Sequence, residues 1–336
     1  MIEALINILK ECKEYDILTC LLFVNKDFHK HISKLYLGII EINKQNEYNK
    51  WKYLNCSFDI KFQITHLNYK NIVGLNIGFN KTIKDISMLT NLTYLNLRYN
   101  YTIKDINMLT NLTVLDLYNN ENIQDISMLT NLTSLSLCNN NTIQDVNMLT
   151  NLTSLNLNFN NSIKDVNMLT NLTSLNLDFN YSIKDIKTLV NLTTLYLRYN
   201  NLNKDINMLT NLTSLDLHNN NTIQDINMLT NLTSLNLSFN KTIKDISMLT
   251  NLTSLDLQNN NIIKDISMST KLTSLDISDN KVIKDISMLT NLTILDLCNN
   301  KIIKDLSMLT NLTTLIACNN ITKNVNIPNA LNIIRI

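Results

Sequence analysis

NLTYLNLRYNYTIKDINMLT, residues 91–110, recurs with few changes every 20 residues from about Asn71 to Thr310, twelve copies in one register. The unit is N-L-T-x-L-x-L-x-x-N-x-x-I-x-D-I-x-M-L-T. A fixed period in this range means a solenoid whose unit is one strand and its return path. Leu95 and Leu97 alternate with Asn96 and Arg98, the period-2 pattern of a strand with one buried face. Asn100 opens a turn, and Ile103, Asp105, Ile106 and Leu109 form the return path. One unit cannot fold alone. Fixing its backbone costs about 20–40 kcal/mol, against at most about 10–20 kcal/mol from its apolar side chains. Stacking must supply the difference. So short a unit leaves no room for a convex α-helix, so turns and 3₁₀ pieces are expected there, with gentle curvature and an array about 60 Å long at ordinary strand spacing.

The segment L-x-x-L-x-L-x-x-N (Leu92, Leu95, Leu97, Asn100) resembles the leucine-rich repeat, and the resemblance covers residues 71–327. It implies a leucine-rich-repeat solenoid with a parallel β-sheet on the concave face and turns on the convex one. It also implies an asparagine ladder, because the Asn column runs unbroken from Asn80 to Asn320 and a side-chain amide both donates and accepts. Stacked asparagines would bond the backbone of the coils above and below. The Asp column, Asp85 to Asp305, reads as a cap accepting an amide two or three residues on. A Ca²⁺ stack is the alternative, but calcium takes six to eight oxygens and each coil offers one carboxylate. The register weakens at residues 187–190 (KTLV) and at Ser269 and Lys271, where softer packing is expected.

Net charge is +1, so no bulk electrostatic force draws the chain to nucleic acid or an acidic membrane. Three glycines all but exclude phosphate-binding loops. Glu3, Glu11, Glu14 and Asp16 interrupt any secretory apolar region, and no apolar run is long enough to span a bilayer. A cytoplasmic location is therefore expected, and the N-L-T sequons are read as structural rather than glycosylated. The six cysteines follow no framework spacing. Cys298 and Cys318 are lateral neighbours whose side chains point the same way, which suits a disulfide poorly, so reduced thiols are expected.

The ends differ from the array. Residues 1–50 show helical spacing (Leu5, Ile8, Leu9; Ile17, Leu18, Leu21, Leu22; Phe28, Ile32, Leu35) and are expected to form three short helices. The bland reading is a cap. The sharper one is that E-A-L-I-N-I-L (Glu3–Leu9), Asp16-Ile17 and V-N-K-D-F (Val24–Phe28) resemble an F-box, which implies that Leu5, Ile8, Leu9, Leu18, Val24 and Phe28 serve its core and the contact with a Skp1-type adaptor. The usual Leu-Pro opening is missing, and Cys12 stands where Leu is common. Residues 51–70 read as a connector with irregular first coils. Residues 328–336, ending L-N-I-I-R-I, read as a final strand whose apolar edge is open to pairing; we take that edge to be tolerated.

Binding would sit on the outward strand positions, which vary most between units. Tyr94, Arg98 and Tyr118 form one expected cluster and Tyr196 with Arg198 a second, both residue types being common interface anchors. Asp216, Asp256, Asp276 and Asp296, with His218 among them, make the face acidic and suit a basic segment of a partner. The aromatic residues before the ladder Asn, such as Phe79 and Tyr199, are left open between buried and half-exposed. No catalytic constellation is legible: the repeat geometry places no Ser or Cys nucleophile near His218. No cofactor or metal is expected. The reading is a non-catalytic protein-interaction chain: the substrate-recognition subunit of an SCF-type ubiquitin ligase, or a scaffold whose N-terminal helices only cap it. A secreted receptor fragment is a third reading.

Overall fold

The computed structural model describes residues 39–42, 56–60, 72–202, 205–318, 326 and 332–335. They fall in two compact units, Met1–Leu152 and Thr153–Ile336. In the first, β1 (Ile39–Ile42), β2 (Cys56–Ile60), β3 (Ile72–Asn76), β4 (Tyr94–Asn96), β5 (Val114–Asp116) and β6 (Ser134–Ser136) each pair in parallel with the next. In the second, the same holds for β7 (Ser154–Asn156), β8 (Ser174–Asn176), β9 (Thr194–Tyr196), β10 (Ser214–Asp216), β11 (Ser234–Asn236), β12 (Ser254–Asp256), β13 (Ser274–Asp276), β14 (Ile294–Asp296), β15 (Thr314–Ala317) and β16 (Asn332–Arg335). Within each unit the regular coils pair with a register of 20, as in Tyr94↔Val114 and Ser254↔Ser274.

The strands are short because only Leu95 and its equivalents point inward between two half-exposed neighbours. The return path buries Ile83, Ile86, Leu89 and Leu92 completely or nearly so. These are spaced three apart, which suits successive tight turns rather than a helical stripe. The Leu89 amide accordingly donates to Ile86 O (2.9 Å), and the Leu92 amide to Leu89 O (3.0 Å). The expected turns are present, and no α- or 3₁₀-helix occurs among the described residues. The Asp caps also hold: Asp85 Oδ1 accepts the Ser87 amide at 2.8 Å and Asp105 Oδ1 the Asn107 amide at 2.9 Å. Ser269 takes the place of a core Leu without breaking the turn, its amide donating to Ile266 O at 3.0 Å.

The asparagine ladder is real among the described coils, Asn80 to Asn300, all nearly or fully buried, but it works differently from the expectation. Asn120 donates to Leu97 O (3.2 Å) and Asn100 O (2.6 Å) in the preceding coil. Its Oδ1 accepts the Asn122 and Ile123 amides of its own turn, both at 3.1 Å. Each Asn therefore ties its own turn to the coil before it. An acceptor oxygen spent on two local amides cannot also reach forward. Asn320 lies outside the described residues.

The residue before each ladder Asn is left-handed in all twelve coils from Phe79 (φ 60°) to Asn299 (φ 57°). Here the strand turns sharply: the Tyr99 amide crosses to Tyr118 O (3.0 Å) while Asn100 folds back to Leu97 O (3.0 Å). Glycine would take this conformation freely, but the column uses Asn or Asp in six coils and Phe or Tyr in the other six. A left-handed L-residue costs about 1–2 kcal/mol, less for Asn or Asp.

Two expectations need correction. β1 lies inside the stretch read as helical, as a strand parallel to β2; β2 lies among the residues read as a connector with irregular first coils, and its pairing with β3 shifts register between Cys56 and Ser57. The proposed helices, with Leu5, Ile8, Leu9, Leu18, Val24 and Phe28, lie outside the described residues. Cys298 and Cys318 are joined as a disulfide. Their side chains do leave the sheet on one side, but the 5.0 Å between their α-carbons is inside the range a disulfide spans. At the C-terminal side, β16 pairs with β15 over Asn332–Arg335.

Candidate functional site

The strand face is built from two outward columns, and each is less free than the sequence suggests. In the first, Asn or Asp folds back on its own backbone. Asn96 Oδ1 accepts the Arg98 amide (3.0 Å), Asp116 the Tyr118 amide (2.9 Å), and Asp256 the Gln258 amide (2.9 Å). In the second, small residues sink: Cys138, Asp178, Ser238 and Ser278 are buried. Large residues stand out, notably the exposed Arg98 and Arg198.

In the first unit, Arg98 lies 4.6 Å over the Tyr118 ring and 3.8 Å from Asp116 Oδ2. The expected pair Arg98–Tyr118 is thus together. Its third member is Tyr99, whose ring meets Tyr118 edge-on at 5.1 Å and stacks on Phe79 at 4.7 Å. Tyr94 sits on β4 beside Val114. In the second unit Arg198 Nε donates to Asp216 Oδ2 at 2.6 Å, and the Arg198 amide donates to Asp178 Oδ1 at 2.8 Å. Tyr196, expected to pair with Arg198, lies in register beside Asp216. Phe159, Phe179 and Tyr199 stack face to face at 4.4 and 4.7 Å, and His218 and Phe239 continue the row at 5.2 and 5.3 Å. The aromatic column is self-stacked and ranges from half-exposed (Tyr99, Phe179, Phe239) to exposed (Phe79, Phe159, Tyr199). Each stack supplies about 0.5–1.5 kcal/mol, which offsets the left-handed backbone beneath it.

The sequence reading missed Tyr99, Tyr199 and Phe179 as members. The signal was the tetrapeptide L-R-Y-N, present at 97–100 and again at 197–200. It also missed Ser238, whose Oγ is 2.5 Å from His218 Nδ1 while His218 Nε2 is 3.2 Å from Tyr199 Oη. A serine does therefore lie against His218, one coil on in the same column. It is 1% exposed, so no substrate can reach its oxygen. Desolvation lowers the His218 pKa, helped by the Arg198 charge and opposed by Asp216.

Burial raises the Asp178 pKa against the pull of Arg198. Arg198 itself loses by desolvation, yet its bond to Asp216 and that carboxylate's charge raise its pKa. Removing the guanidinium leaves two buried carboxylates without their counter-charge. Arg198→Ala is expected to cost about 1–3 kcal/mol, below the range for a fully buried pair because the arginine is half in solvent. Urea denaturation checks this, and a loss below 0.5 kcal/mol would mean water already neutralises the pair.

The acidic patch is present but muted. Asp256, Asp276 and Asp296 lie in register on β12, β13 and β14, all half-buried. Burial and the neighbouring Asp276 and Asp216 push Asp256 up to about 6, and burial raises Asp296. A folded-state pKa above the unfolded value stabilises at low pH, and that contribution is lost as pH rises from about 4 through 6. Asp256→Asn keeps the Oδ1 acceptor, as Asn236 shows with its 2.8 Å bond from the Ser238 amide, and removes the charge. It is expected to raise stability at pH 7 by about 1–2 kcal/mol after discounting for solvent and to leave it unchanged near pH 4. Denaturation at the two pH values checks this, and an equal effect at both would refute a charge origin.

On the turn side, each unit carries a groove. That of the first has a volume of about 640 Å³ and is lined by Gln124, Asp125, Gln144, Asp145 and Met148 among others. That of the second is lined by Lys264, Asp265, Lys284, Asp285 and Met288.

The chain carries leucine-rich repeats. Family models described as Leucine Rich repeats (2 copies), Leucine Rich repeat and Leucine Rich Repeat match residues 230–270, residues 149–166 and 269–288, and residues 191–212. Among solved structures, an internalin (InlF) from Listeria monocytogenes shares 29% identity over 87% of this chain and 88% of its own, with a TM-score of 0.57. A Leptospira interrogans LRR protein shares 26% over 82% and 87%, at 0.62. The functional domain of InlJ from Listeria monocytogenes, which includes a cysteine ladder, shares 23% over 84% and 73%, at 0.58. A search of curated proteins returned no match.

Proposed function

We propose that this chain is a non-catalytic scaffold whose strand face holds a basic segment of a partner protein. The leucine-rich-repeat solenoid is a protein-interaction fold, and the internalin-like neighbours support that coarse reading. The observation carrying the finer one is the run β12–β14. There Asp256, Asp276, Asp279 and Asp296 share three adjacent coils, and no Lys or Arg stands at the outward positions between them. The aromatic row ends beside this run, the Phe239 amide donating to Gln258 O at 2.9 Å, as rigid anchors border a charged rim. A lysine-rich nonapeptide, labelled for anisotropy, should bind saturably and weaken with salt. Asp256→Asn/Asp276→Asn/Asp296→Asn should weaken it at least tenfold. Equal binding of an acidic nonapeptide, or an unaffected triple variant, refutes the assignment.

The ubiquitin-ligase reading rests on the sequence resemblance of Val24–Phe28 and its surroundings alone. Its test is capture of a purified Skp1-type adaptor by the full chain, with loss in Phe28→Ala. A folded chain that captures none leaves the scaffold reading.

A further inference from the structure

Of the twelve methionines, all but Met1 stand at one position of the repeat, from Met88 to Met308. In the second unit six consecutive coils carry one, Met208 to Met308, each 56–66% exposed. Several other exposed positions that the repeats keep constant are held by bonds. Asn251 donates to Thr230 O (3.0 Å), Thr253 Oγ1 to Thr233 O (3.1 Å), and Asp245 accepts from Ser247 (2.9 Å). The methionine side chains leave the core to the buried residue beside them, a leucine in five of these coils and Ser269 in the sixth. In the one coil without Met, Thr188 turns its hydroxyl to Asn167 O at 2.8 Å. What Met offers here and Leu would not is its sulfur.

The coils repeat residue on residue, so each methionine has the next in register, one coil on. A metal–sulfur bond of about 2.3 Å sets two ligating sulfurs about 4.6 Å apart across one ion. An uncharged thioether is a soft ligand that favours Cu(I) over hard cations, and it lacks the anionic charge with which a Cys thiolate holds zinc. Exposed carboxylates stand three residues before each of these methionines, Asp245, Asp265 and Asp285 among them. Exposed lysines precede most of them, Lys244, Lys264 and Lys284 among them, so the border is near neutral and the thioethers alone must hold the ion.

We propose that the exposed methionine column Met208–Met308 binds soft monovalent ions of the Cu(I) class, each ion held by thioethers of neighbouring coils. This is independent of the strand face and of its partner. No cluster of His, Cys, Asp and Glu among the described residues has metal-binding geometry, so thiols are the competing ligand and are alkylated first.

The probe is Ag(I), titrated as nitrate into full-length protein carrying [methyl-¹³C]Met. The column methyl resonances should move within the first few equivalents. Zn(II) should move none, and Cu(I) under ascorbate should displace Ag(I). Met228→Leu/Met248→Leu/Met268→Leu keeps size and exposure, and it should bind Ag(I) at least tenfold more weakly with unchanged circular dichroism. Unmoved methyl resonances at ten equivalents overturn the proposal. So does a triple variant that binds as wild type, or a Zn(II) response equal to that of Ag(I). The methyl resonances of the wild-type chain decide the matter even where the variant fails to fold.

Discussion

Asn120→Ala is expected to remove about 3–5 kcal/mol of stability from the first unit. The side chain makes four hydrogen bonds, two donated to Leu97 O and Asn100 O and two accepted from the Asn122 and Ile123 amides, and it is fully buried. Alanine leaves those backbone groups without partners or water, and each orphaned group costs about 1–3 kcal/mol less whatever relaxation recovers. Asn120→Asp is the sharper variant. It keeps the two acceptor bonds but turns the donor into a carboxylate facing two carbonyls. At pH 7 it should therefore be at least as damaging as alanine. Its carboxyl pKa would be raised by burial, so it should recover as pH falls and the acid becomes a donor again. Urea denaturation at pH 7 and pH 4 with amide exchange around Ile123 measures both. An aspartate variant as stable as wild type at pH 7 would sink the donor role.

Reducing the Cys298–Cys318 disulfide should have the second-largest effect. The bond closes a loop of 20 residues' separation, for which chain entropy alone gives about 3 kcal/mol. Because each coil leans only on its neighbours, the loss should appear locally. Cys298→Ser/Cys318→Ser should speed amide exchange in β14 and β15 and leave the ladder of the first unit unchanged. Reductant should reproduce it in the wild type and do nothing further to the variant. Uniform loss of protection in both units would mean that the coils unfold as one body.

The period, the strand, the asparagine ladder and the Asp caps were legible because each rests on one residue type repeated at one position. The position before the ladder Asn was not. Phe159, Tyr199 and Asn219 share one left-handed backbone and no chemistry, so sequence could not show a common turn. The disulfide was missed for a related reason. Side-chain direction argued against it, while the short interstrand distance, which a sequence shows only by inference, favoured it. On the candidate face, Arg98 and Arg198 stand exposed and Tyr118 half-exposed, while Asp216 is buried and Asp256, Asp276 and Asp296 are half-buried. Their ties were not legible, since Asp216 with Arg198 and His218 with Ser238 form between coils. The burial of Asp178 and Ser238 depends on side-chain size in adjacent coils rather than on any motif.

The pairing of like with like at a register of 20 also governs how such a chain can vary in length. Within a unit, losing or gaining one whole coil sets a ladder Asn against another ladder Asn and a core Leu against another core Leu. A change of one or two residues throws every later column out of place. The gene can therefore lengthen or shorten safely only in steps of 20 codons. Each such step carries a different set of outward residues, Arg198 in one coil and Gln258 in another. Recombination between near-identical coils would thus reshuffle the recognition surface wholesale while every buried contact stayed as it was.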